Sequence, residues 1–271
     1  MKTRKLRKLG LAALLAAAMC LLLAGCTDAG IKDDTEKEKL LIGSNIYSPY
    51  FYLDDNGDFA GIYAEIATEA CKRLDMTPVF RIVNWQNKDD YLDEKIVDCL
   101  WYSYSITGRG DDYAWAGPYM YGKQVVVVNA SDHIYRLSDL NGRSVAVMDG
   151  TKAERFFLNE QNDAVTVRKV YSYPTIATAF AALKKGYVDA CAGYETACRE
   201  YIKNASSEYR ILDEIVNKSE FGVAFDKERG KEKAEKLSAV LEEMRADGTL
   251  RNILEQYDLD VDFALNGGDV R

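Results

Sequence analysis

The sequence predicts an α/β protein with two lobes, and three observations support this. Short apolar segments alternate with amphipathic helical segments, which is typical of sheets covered by helices. The alternation occurs twice along the chain and gives more strands than one small sheet needs. The chain has 271 residues, 48% of them hydrophobic, which is enough for two small cores.

The N-terminus has the composition of an export signal. Five basic residues precede an apolar run over residues 9–23, which is short for a membrane span. The run ends in Leu23-Ala24-Gly25-Cys26, which resembles the lipobox of bacterial lipoproteins, in which the cysteine is acylated. An ordinary signal peptide and an uncleaved anchor are the alternatives. We expect a signal peptide over residues 1–25, then a lipidated Cys26 and a flexible polar tether up to residue 39.

The charge balance argues against a nucleic-acid partner. Without the five basic residues of the signal, 30 basic residues face 43 acidic ones, a formal net charge of −13. Phosphate backbones require a basic face, and such a balance does not favour one. We expect an acidic monomer whose local arginines can still bind a small anion.

The cysteines and the lone histidine indicate neither a metal site nor a catalytic triad. Cys71, Cys99, Cys191 and Cys198 follow the signal without a C-x-x-C pair or nearby histidines. Disulfides between Cys191 and Cys198 or between Cys71 and Cys99 remain open, as do buried free thiols. His133 lies in a polar turn and is expected at the surface. No metal or cofactor is expected.

The first predicted unit alternates strands with helices around an aromatic loop. That loop, residues 45–52, is followed by an Asn-Gly turn typical of a hairpin, and the next helix has apolar residues at helical spacing. The predicted elements are strands over residues 40–44 and 78–84, helices over residues 61–74 and 87–97, and a strand that starts at Asp98.

The second unit repeats the pattern, and the alternation predicts mainly parallel strands. Predicted strands cover residues 122–129, 143–148, 165–170, 188–193, 209–212 and 221–225. Predicted helices start after Thr151 and cover residues 173–185, 196–203, 231–246 and 250–257. Residues 261–271 are expected to form a disordered tail.

The strand that starts at Asp98 carries the main candidate site. Ser103, Ser105 and Thr107 are two residues apart, so their hydroxyls share one face if the strand continues. Arg109 follows directly, and its planar guanidinium can bind both oxygens of a carboxylate. The alternative is a polar strand edge followed by a surface arginine.

Two further loops are placed at strand ends, where α/β proteins bind ligands. Gly150 and Thr151 precede a helix, so their backbone N–H groups attract anions, although an ordinary helix cap is the alternative. Tyr47 and Trp85 offer flat apolar surfaces to a ligand, and Trp85 can equally belong to the core.

Residues 40–259 resemble the family 3 solute-binding proteins, which are the polar amino-acid receptors of bacterial ABC importers. The order and spacing of several motifs together carry the resemblance. These are Tyr47-Ser48-Pro49-Tyr50 with Gly57 and Gly61, Trp85, Val97-Asp98, Ser103-Tyr104-Ser105-Ile106-Thr107 with Arg109, Gly117-Pro118-Tyr119, residues 137–142, Val145-Ala146-Val147 with Gly150-Thr151, residues 182–186, Val188-Asp189-Ala190 and Asp247-Gly248-Thr249-Leu250.

The resemblance implies a periplasmic-binding-protein-like clamshell of type II. Residues 40–121 and 222–260 would form the first lobe and residues 122–221 the second. Two crossing strands near residues 119–123 and 218–222 would form the hinge. A membrane permease and an ATPase would be the partners of an extracytoplasmic receptor that is anchored through Cys26 and catalyses nothing.

The resemblance also assigns site residues. Tyr47 and Trp85 would flank the ligand, an amino acid or a closely related small carboxylate. Its α-carboxylate would be held by Ser103, Ser105, Arg109, Thr151 and Lys152.

Two departures from the family pattern affect this assignment. The segment from Thr107 to Trp115 is one residue shorter, so Arg109 matches if the gap directly precedes it. The acid that binds the α-amino group is replaced by Tyr194, with Glu195 next to it. Glu195 could turn inward, tyrosines could hold the ammonium, or the ligand could lack a standard α-amino group. The sequence favours Glu195, because a carboxylate gives the stronger ion pair where water is excluded.

Two other functions fit the same scaffold. A dehydratase-like enzyme would need Glu195 or a tyrosine as acid or base, but the sequence has no nucleophile, metal or phosphate-loop motif. A sensor that reports ligand to a membrane partner needs only lobe closure, and the sequence does not separate sensing from import.

Overall fold

The computed structural model describes residues 37–159, 165–203 and 205–268. The expected signal peptide, Cys26 and most of the expected tether lie outside these residues. The strands are β1 (Lys39–Ser44), β2 (Tyr52–Leu53), β3 (Phe59–Ala60), β4 (Thr77–Ile82), β5 (Cys99–Ser105), β6 (Ala114–Asn129), β7 (Ser144–Met148), β8 (Lys169–Tyr173), β9 (Ala190–Tyr194), β10 (Tyr209–Ile211) and β11 (Asn217–Phe225). The helices are α1 (Ile62–Arg73), α2 (Lys88–Asp93), α3 (Lys152–Leu158), α4 (Ile176–Lys184), α5 (Glu195–Ile202), α6 (Lys231–Ala246), α7 (Thr249–Leu254) and α8 (Val261–Asn266).

Within the described residues, nine strands form one sheet in the order β4-β1-β5-β11-β6-β9-β7-β8, with β10 paired to β6. At one end β1 pairs in parallel with β4 and β5, and at the other β7 pairs in parallel with β8 and β9. The central strands β6 and β11 are antiparallel to each other and to their neighbours. The expectation of parallel strands is therefore correct for both ends of the sheet and wrong for its centre.

The two long central strands belong to both halves of the sheet. β6 has 16 residues, and its first part pairs with β11 whereas its last part pairs with β9. The two predicted hinge segments lie side by side, with Lys123 opposite Lys218 and Tyr121 opposite Glu220. Each half of the sheet carries its own helices: α1 follows the first strands, and α3 and α4 lie between strands of the second half.

Helix α1 shows how sequence and packing fix one element. Its apolar face, which includes Ile62, Ile66 and Ala70, is fully buried, as its spacing predicts. Gly61 precedes it with φ of 105°, and a Cβ there would lie 2.6 Å from the backbone oxygen of Pro49. Only glycine fits this turn without strain, so Gly61 determines where the helix begins.

Three differences from the predicted elements have local causes. α2 ends at Asp93, ahead of the left-handed backbone at Lys95, whose φ is 59°. Residues 165–168 bond to the turn that precedes β7 rather than to a strand, so β8 starts only at Lys169. The tether is shorter than expected, because Glu38 already accepts a backbone hydrogen bond from Thr77.

The expected disordered tail is wrong for residues 261–266, which form α8. The Asp260 carboxylate caps this helix by accepting from the Phe263 N–H at 3.0 Å. Ala264 and Leu265 are buried, and the Arg245 guanidinium donates to the Leu265 carbonyl. Burial of Ala264 and Leu265, together with the hydrogen bond from Arg245, thus orders a segment whose composition resembles a disordered tail.

The open question about the cysteines is answered in the structure by four buried free thiols. Burial raises the pKa of Cys71 and of Cys198 to about 12, so both are protonated thiols at neutral pH. His133 is exposed, as predicted. Among the described residues, none of the helices has the length and apolar character needed to span a bilayer.

Candidate functional site

The candidate site is a cavity between the two halves of the sheet, with a volume of about 60 Å³. Residues of β5 and the loop after it form one wall, and the segment that leads into α3 forms the opposite wall. Gln124 of β6 and Tyr194 of β9 close it from below. The lining residues are Trp85, Tyr102, Ser103, Tyr104, Ser105, Arg109, Gln124, Met148, Asp149, Gly150, Thr151, Lys152, Arg155 and Tyr194.

The hydroxyls on β5 form the first wall. Ser103 Oγ lies 2.6 Å from the Tyr63 hydroxyl, and the buried Ser105 Oγ accepts from Lys152 Nζ at 2.9 Å. The third predicted hydroxyl, on Thr107, is exposed and outside the lining, because β5 ends at Ser105. Two of the three hydroxyls therefore reach the site.

Arg109 lies at the edge of this wall, half-buried. Its guanidinium stacks 4.9 Å from the centre of the Tyr104 ring and donates to the Ser105 carbonyl at 3.3 Å. The Trp115 indole N–H donates to the Arg109 carbonyl at 2.9 Å, which fixes the backbone at this position. In the described chain no carboxylate forms an ion pair with Arg109, so its remaining donors are free for a ligand anion.

The opposite wall is the start of α3. Thr151 is an ordinary N-cap, since its Oγ1 accepts from the Glu154 N–H at 3.2 Å, and it also lines the cavity. The Gly150 N–H donates to the Glu154 side chain at 2.8 Å and is therefore not free for an anion. Lys152 projects across the cavity towards Ser105. Burial, with the nearby charges of Arg109 and Arg155, lowers the pKa of Lys152 below its usual 10.5.

The aromatic residues fall into a lining group and a supporting group. Trp85 is half-buried and packs against Tyr102 and Tyr104, with ring centres 4.5 and 5.2 Å apart, so it is both part of a core cluster and part of the lining. Tyr47 lies outside the lining. It is buried behind it, with its ring centre 6.0 Å from that of Tyr102 and 6.3 Å from that of Tyr194.

The floor combines a neutral phenol with unsatisfied polar atoms. The Tyr194 hydroxyl bonds to Ser219 Oγ at 3.2 Å, and burial raises the pKa of Tyr194 to about 12, so it is uncharged at neutral pH. The Tyr102 hydroxyl and Gln124 Oε1 are buried and have no hydrogen-bond partner within the described residues. Buried polar atoms are normally paired, so a ligand or water is the expected partner of both.

Glu195 does not reach the cavity, contrary to the expectation from the sequence. It is the first residue of α5, and its carboxylate binds Lys123 at 3.0 Å and Arg199 at 2.8 Å. Tyr194 still belongs to β9, so the chain turns between the two residues and directs their side chains apart. The structure therefore places Glu195 in an ion-pair network beside the site.

Seven of the nine predicted ligand-binding residues line one cavity, whereas Tyr47 and Glu195 do not. The sequence predicts an anion-attracting backbone N–H at Gly150 but no side-chain role for the neighbouring Asp149. Arg155 could have been found, because it follows Lys152 by three residues and so shares its side of the helix. Gln124 was signalled only by its polarity ahead of four consecutive valines. Tyr102, Tyr104 and Met148 gave no signal beyond their apolar character.

Two hydrogen bonds connect the walls across the cavity. Lys152 Nζ donates to Ser105 Oγ at 2.9 Å, and Gln86 Nε2 donates to Asp149 Oδ2 at 2.9 Å. Both join residues at or shortly after the ends of β4 and β5 to residues at the start of α3. The walls thus meet around a space in which three cationic side chains, Arg109, Lys152 and Arg155, are close to one another.

Comparison with known proteins identifies the family. Residues 40–260 match the model of the bacterial extracellular solute-binding proteins, family 3. The chain is 28% identical over 240 residues to the histidine-binding periplasmic protein of Salmonella typhimurium, covering 85% of this chain and 90% of that protein. It is 25% identical over 225 residues to the ABC transporter arginine-binding protein 1 of Escherichia coli, covering 81% and 90%.

A solved structure gives the same result. An ancestral arginine-binding protein with bound arginine is 27% identical, with a TM-score of 0.72, covering 83% of this chain and 100% of that one. The fold class predicted from the sequence, two α/β lobes joined by two strands, is thereby confirmed. The chain belongs to the bacterial extracellular solute-binding proteins, family 3.

Proposed function

We propose that this protein is the extracytoplasmic receptor of an ABC importer, and that it binds an amino acid or a closely related small carboxylate between its lobes. The observation that carries the proposal is the pair of cationic groups on opposite walls. Arg109 follows β5 and Lys152 begins α3, and both border one cavity without an acidic partner in the described chain. A carboxylate bound there contacts both lobes at once.

In this proposal each wall has a defined task. The Arg109 guanidinium binds the carboxylate through paired N–H donors, and Ser103 and Ser105 add hydroxyl hydrogen bonds. Thr151 and Lys152 bind the same group from the second lobe. Trp85 provides an apolar face for the carbon chain of the ligand, and Tyr47 supports the lining tyrosines from behind.

Ligand binding favours the closed arrangement because only there do both walls reach the same anion. The bending region is the paired segment of β6 and β11, residues 119–123 and 218–222, with one lobe formed by residues 40–121 and 222–260 and the other by residues 122–221. The hydrogen bonds from Lys152 to Ser105 and from Gln86 to Asp149 support closure. The receptor does not transform its ligand.

Delivery to a permease and ATPase requires the receptor to stay at the membrane. A signal peptide over residues 1–25 directs export, and acylated Cys26 anchors a monomer outside the cytoplasm. Two acyl chains on this residue suffice for stable attachment. Radiolabelled palmitate incorporation that disappears in Cys26→Ala tests the anchor, and incorporation that persists in this variant contradicts it.

A thermal-shift screen of amino acids and small carboxylates tests ligand binding. A ligand at one hundred times its Kd stabilises the folded state by about 2.7 kcal/mol, which corresponds to roughly 5–10 °C for a chain of this size. We expect at least one such compound. Arg109→Ala should weaken its binding by about 10- to 150-fold, because a hydrogen bond to a charged group contributes about 1.5–3 kcal/mol.

Arg168→Ala is the matched control, since Arg168 is exposed and lies outside the cavity lining. It should bind like the parent. If Arg109→Ala binds the ligand as tightly as the parent does, the carboxylate assignment is wrong. If none of the amino acids or carboxylates stabilises the parent, the proposed ligand class itself fails.

A further inference from the structure

The charge of the cavity is out of balance. Arg109, Lys152 and Arg155 line it, and the one lining carboxylate is Asp149, so the lining has a net charge of +2. Asp149 is exposed at the rim and accepts a hydrogen bond from Gln86. Within the described residues none of the three cations has a carboxylate at ion-pair distance. A single ligand carboxylate would leave half of the net charge uncompensated.

This imbalance is local to the cavity. The chain as a whole is acidic, with a formal net charge of −8, and several buried or half-buried cations elsewhere have acidic partners. Arg73 binds Glu69 and Asp247, and Lys123 binds Glu195. The chain has more acidic than basic residues, so a shortage of carboxylates does not explain why these three cations lack partners. Their unpaired state is a property of the cavity.

Apart from the exposed Asp149 at the rim, which accepts from Gln86, the described lining offers no anionic partner for a ligand ammonium. Glu195, which the sequence favoured for this role, is occupied by Lys123 and Arg199. Tyr194 is neutral. The unpaired Gln124 Oε1 and Tyr102 hydroxyl can form hydrogen bonds with a hydroxyl, carbonyl or amino group, but neither supplies a negative charge.

We infer that the ligand is a small dianion with two carboxylate groups, and that an ammonium group is not required for its binding. This inference rests on the proposed function and narrows its ligand class. One carboxylate lies between Arg109 and Lys152, and the second is bound by Arg155 at the mouth of the cavity. The selectivity is therefore opposite to that of relatives that are named for the cationic amino acid arginine.

Isothermal titration calorimetry on the full chain in detergent tests the inference with two matched series. The first is L-glutamate, L-glutamine and glutarate, and the second is L-aspartate, L-asparagine and succinate. The amides remove the second negative charge with little change in shape, and the diacids remove the ammonium. L-Arginine serves as the cationic comparison.

In at least one series, we expect the dianionic amino acid to bind at least tenfold more tightly than its amide. The diacid should bind within tenfold of the amino acid, and L-arginine should bind more weakly than either. Arg155→Gln should reduce the preference for the dianion over the amide to less than threefold. Arg168→Gln, at an exposed position outside the lining, should retain it.

Failure of the inference is distinguishable from failure of the proposed function. Tighter binding of an amide or of L-arginine overturns the dianion and leaves a carboxylate receptor in place. A loss of more than tenfold on removal of the ammonium likewise overturns the inference, because it shows that the site recognises the amino group. Absence of binding by every compound in both series overturns the inference, whereas the proposed ligand class fails only if the thermal-shift screen also finds no amino acid or small carboxylate that stabilises the protein.

Discussion

Replacement of Lys152 by methionine separates ligand binding from folding. Lys152 is half-buried at the start of α3, lies near Arg109 and Arg155, and donates to Ser105 Oγ at 2.9 Å. Methionine keeps most of the apolar stem and removes only the ammonium. The variant therefore tests the charge with little change in packing.

Two opposing effects act on the stability of the empty protein. Loss of the hydrogen bond to Ser105 costs about 1 kcal/mol. Removal of a partly desolvated cation that lies near two other cations contributes a gain of similar size. We expect the free energy of unfolding to change by less than about 1 kcal/mol, which corresponds to a shift in Tm of at most about 4 °C.

Ligand binding has no such compensation. A hydrogen-bonded ion pair with a carboxylate contributes about 1.5–3 kcal/mol, so affinity should fall by roughly 10- to 150-fold. Calorimetric titration with the tightest ligand of the screen, alongside thermal unfolding without ligand, measures both quantities. Lys184→Met removes an exposed charge from the end of α4 and should change neither. Unchanged affinity in Lys152→Met, or a fall in Tm of more than about 8 °C, would refute the reasoning.

Two further predictions concern pH and the backbone. The pKa of Lys152 is lowered in the empty protein, so between this pKa and 10.5 the unfolded chain binds more protons, and stability from this group rises with pH. A bound anion raises the pKa of Lys152 again, as the carboxylate of Glu220 already does to a smaller extent. Binding of succinate or glutarate, whichever is measurable, should therefore weaken as the pH rises through this window. If the affinity of Lys152→Met falls equally steeply with pH, deprotonation of Lys152 is not the cause. Gly61→Ala should lower the free energy of unfolding by about 1–3 kcal/mol in denaturant titrations, because φ is 105° and the new Cβ would clash with the Pro49 carbonyl. Gly57→Ala, with φ of 83° and open space around it, is the control for φ alone and should cost less.

The sequence pattern predicted the bounds of those elements that depend only on residues close in sequence. The bounds of α6 were predicted correctly, because a long amphipathic segment ends ahead of Gly248, whose φ of 84° suits glycine. The bounds of β8 were not, since residues 165–168 bond to a turn that is distant in sequence. The order of residues 261–266 likewise depends on burial of Leu265 and on Arg245, which composition does not reveal.

In the candidate site, too, the residues placed by local periodicity were predicted, and those placed by element boundaries or strand pairing were not. The period of a strand placed Ser103 and Ser105 on one face, and both line the cavity. The direction of Glu195 depends on where β9 ends and α5 begins, and a shift of one residue at that boundary reverses the outcome. Gln124 was missed because its polarity matters only after β6 and β9 pair, which places it opposite Tyr194.

Replacement of Glu195 by glutamine tests whether this residue binds an ammonium group of the ligand or only forms ion pairs that stabilise the fold. The carboxylate is buried and bound to Lys123 and Arg199, whose side chains are 19% and 41% exposed. Loss of a fully buried pair costs about 3–5 kcal/mol, and the partial exposure of both partners reduces the expected cost to about 1–2 kcal/mol.

Because Glu195 lies outside the lining, the affinity for the ligand should stay within threefold of the parent. Glu200→Gln, whose carboxylate lies 3.7 Å from the exposed Lys203, should change neither stability nor affinity. Denaturant unfolding and titration calorimetry on the same variants separate the two roles. A fall in affinity of more than tenfold without loss of stability would show that Glu195 turns inward to bind an ammonium. In that case the charge argument for a ligand that needs no amino group would no longer hold.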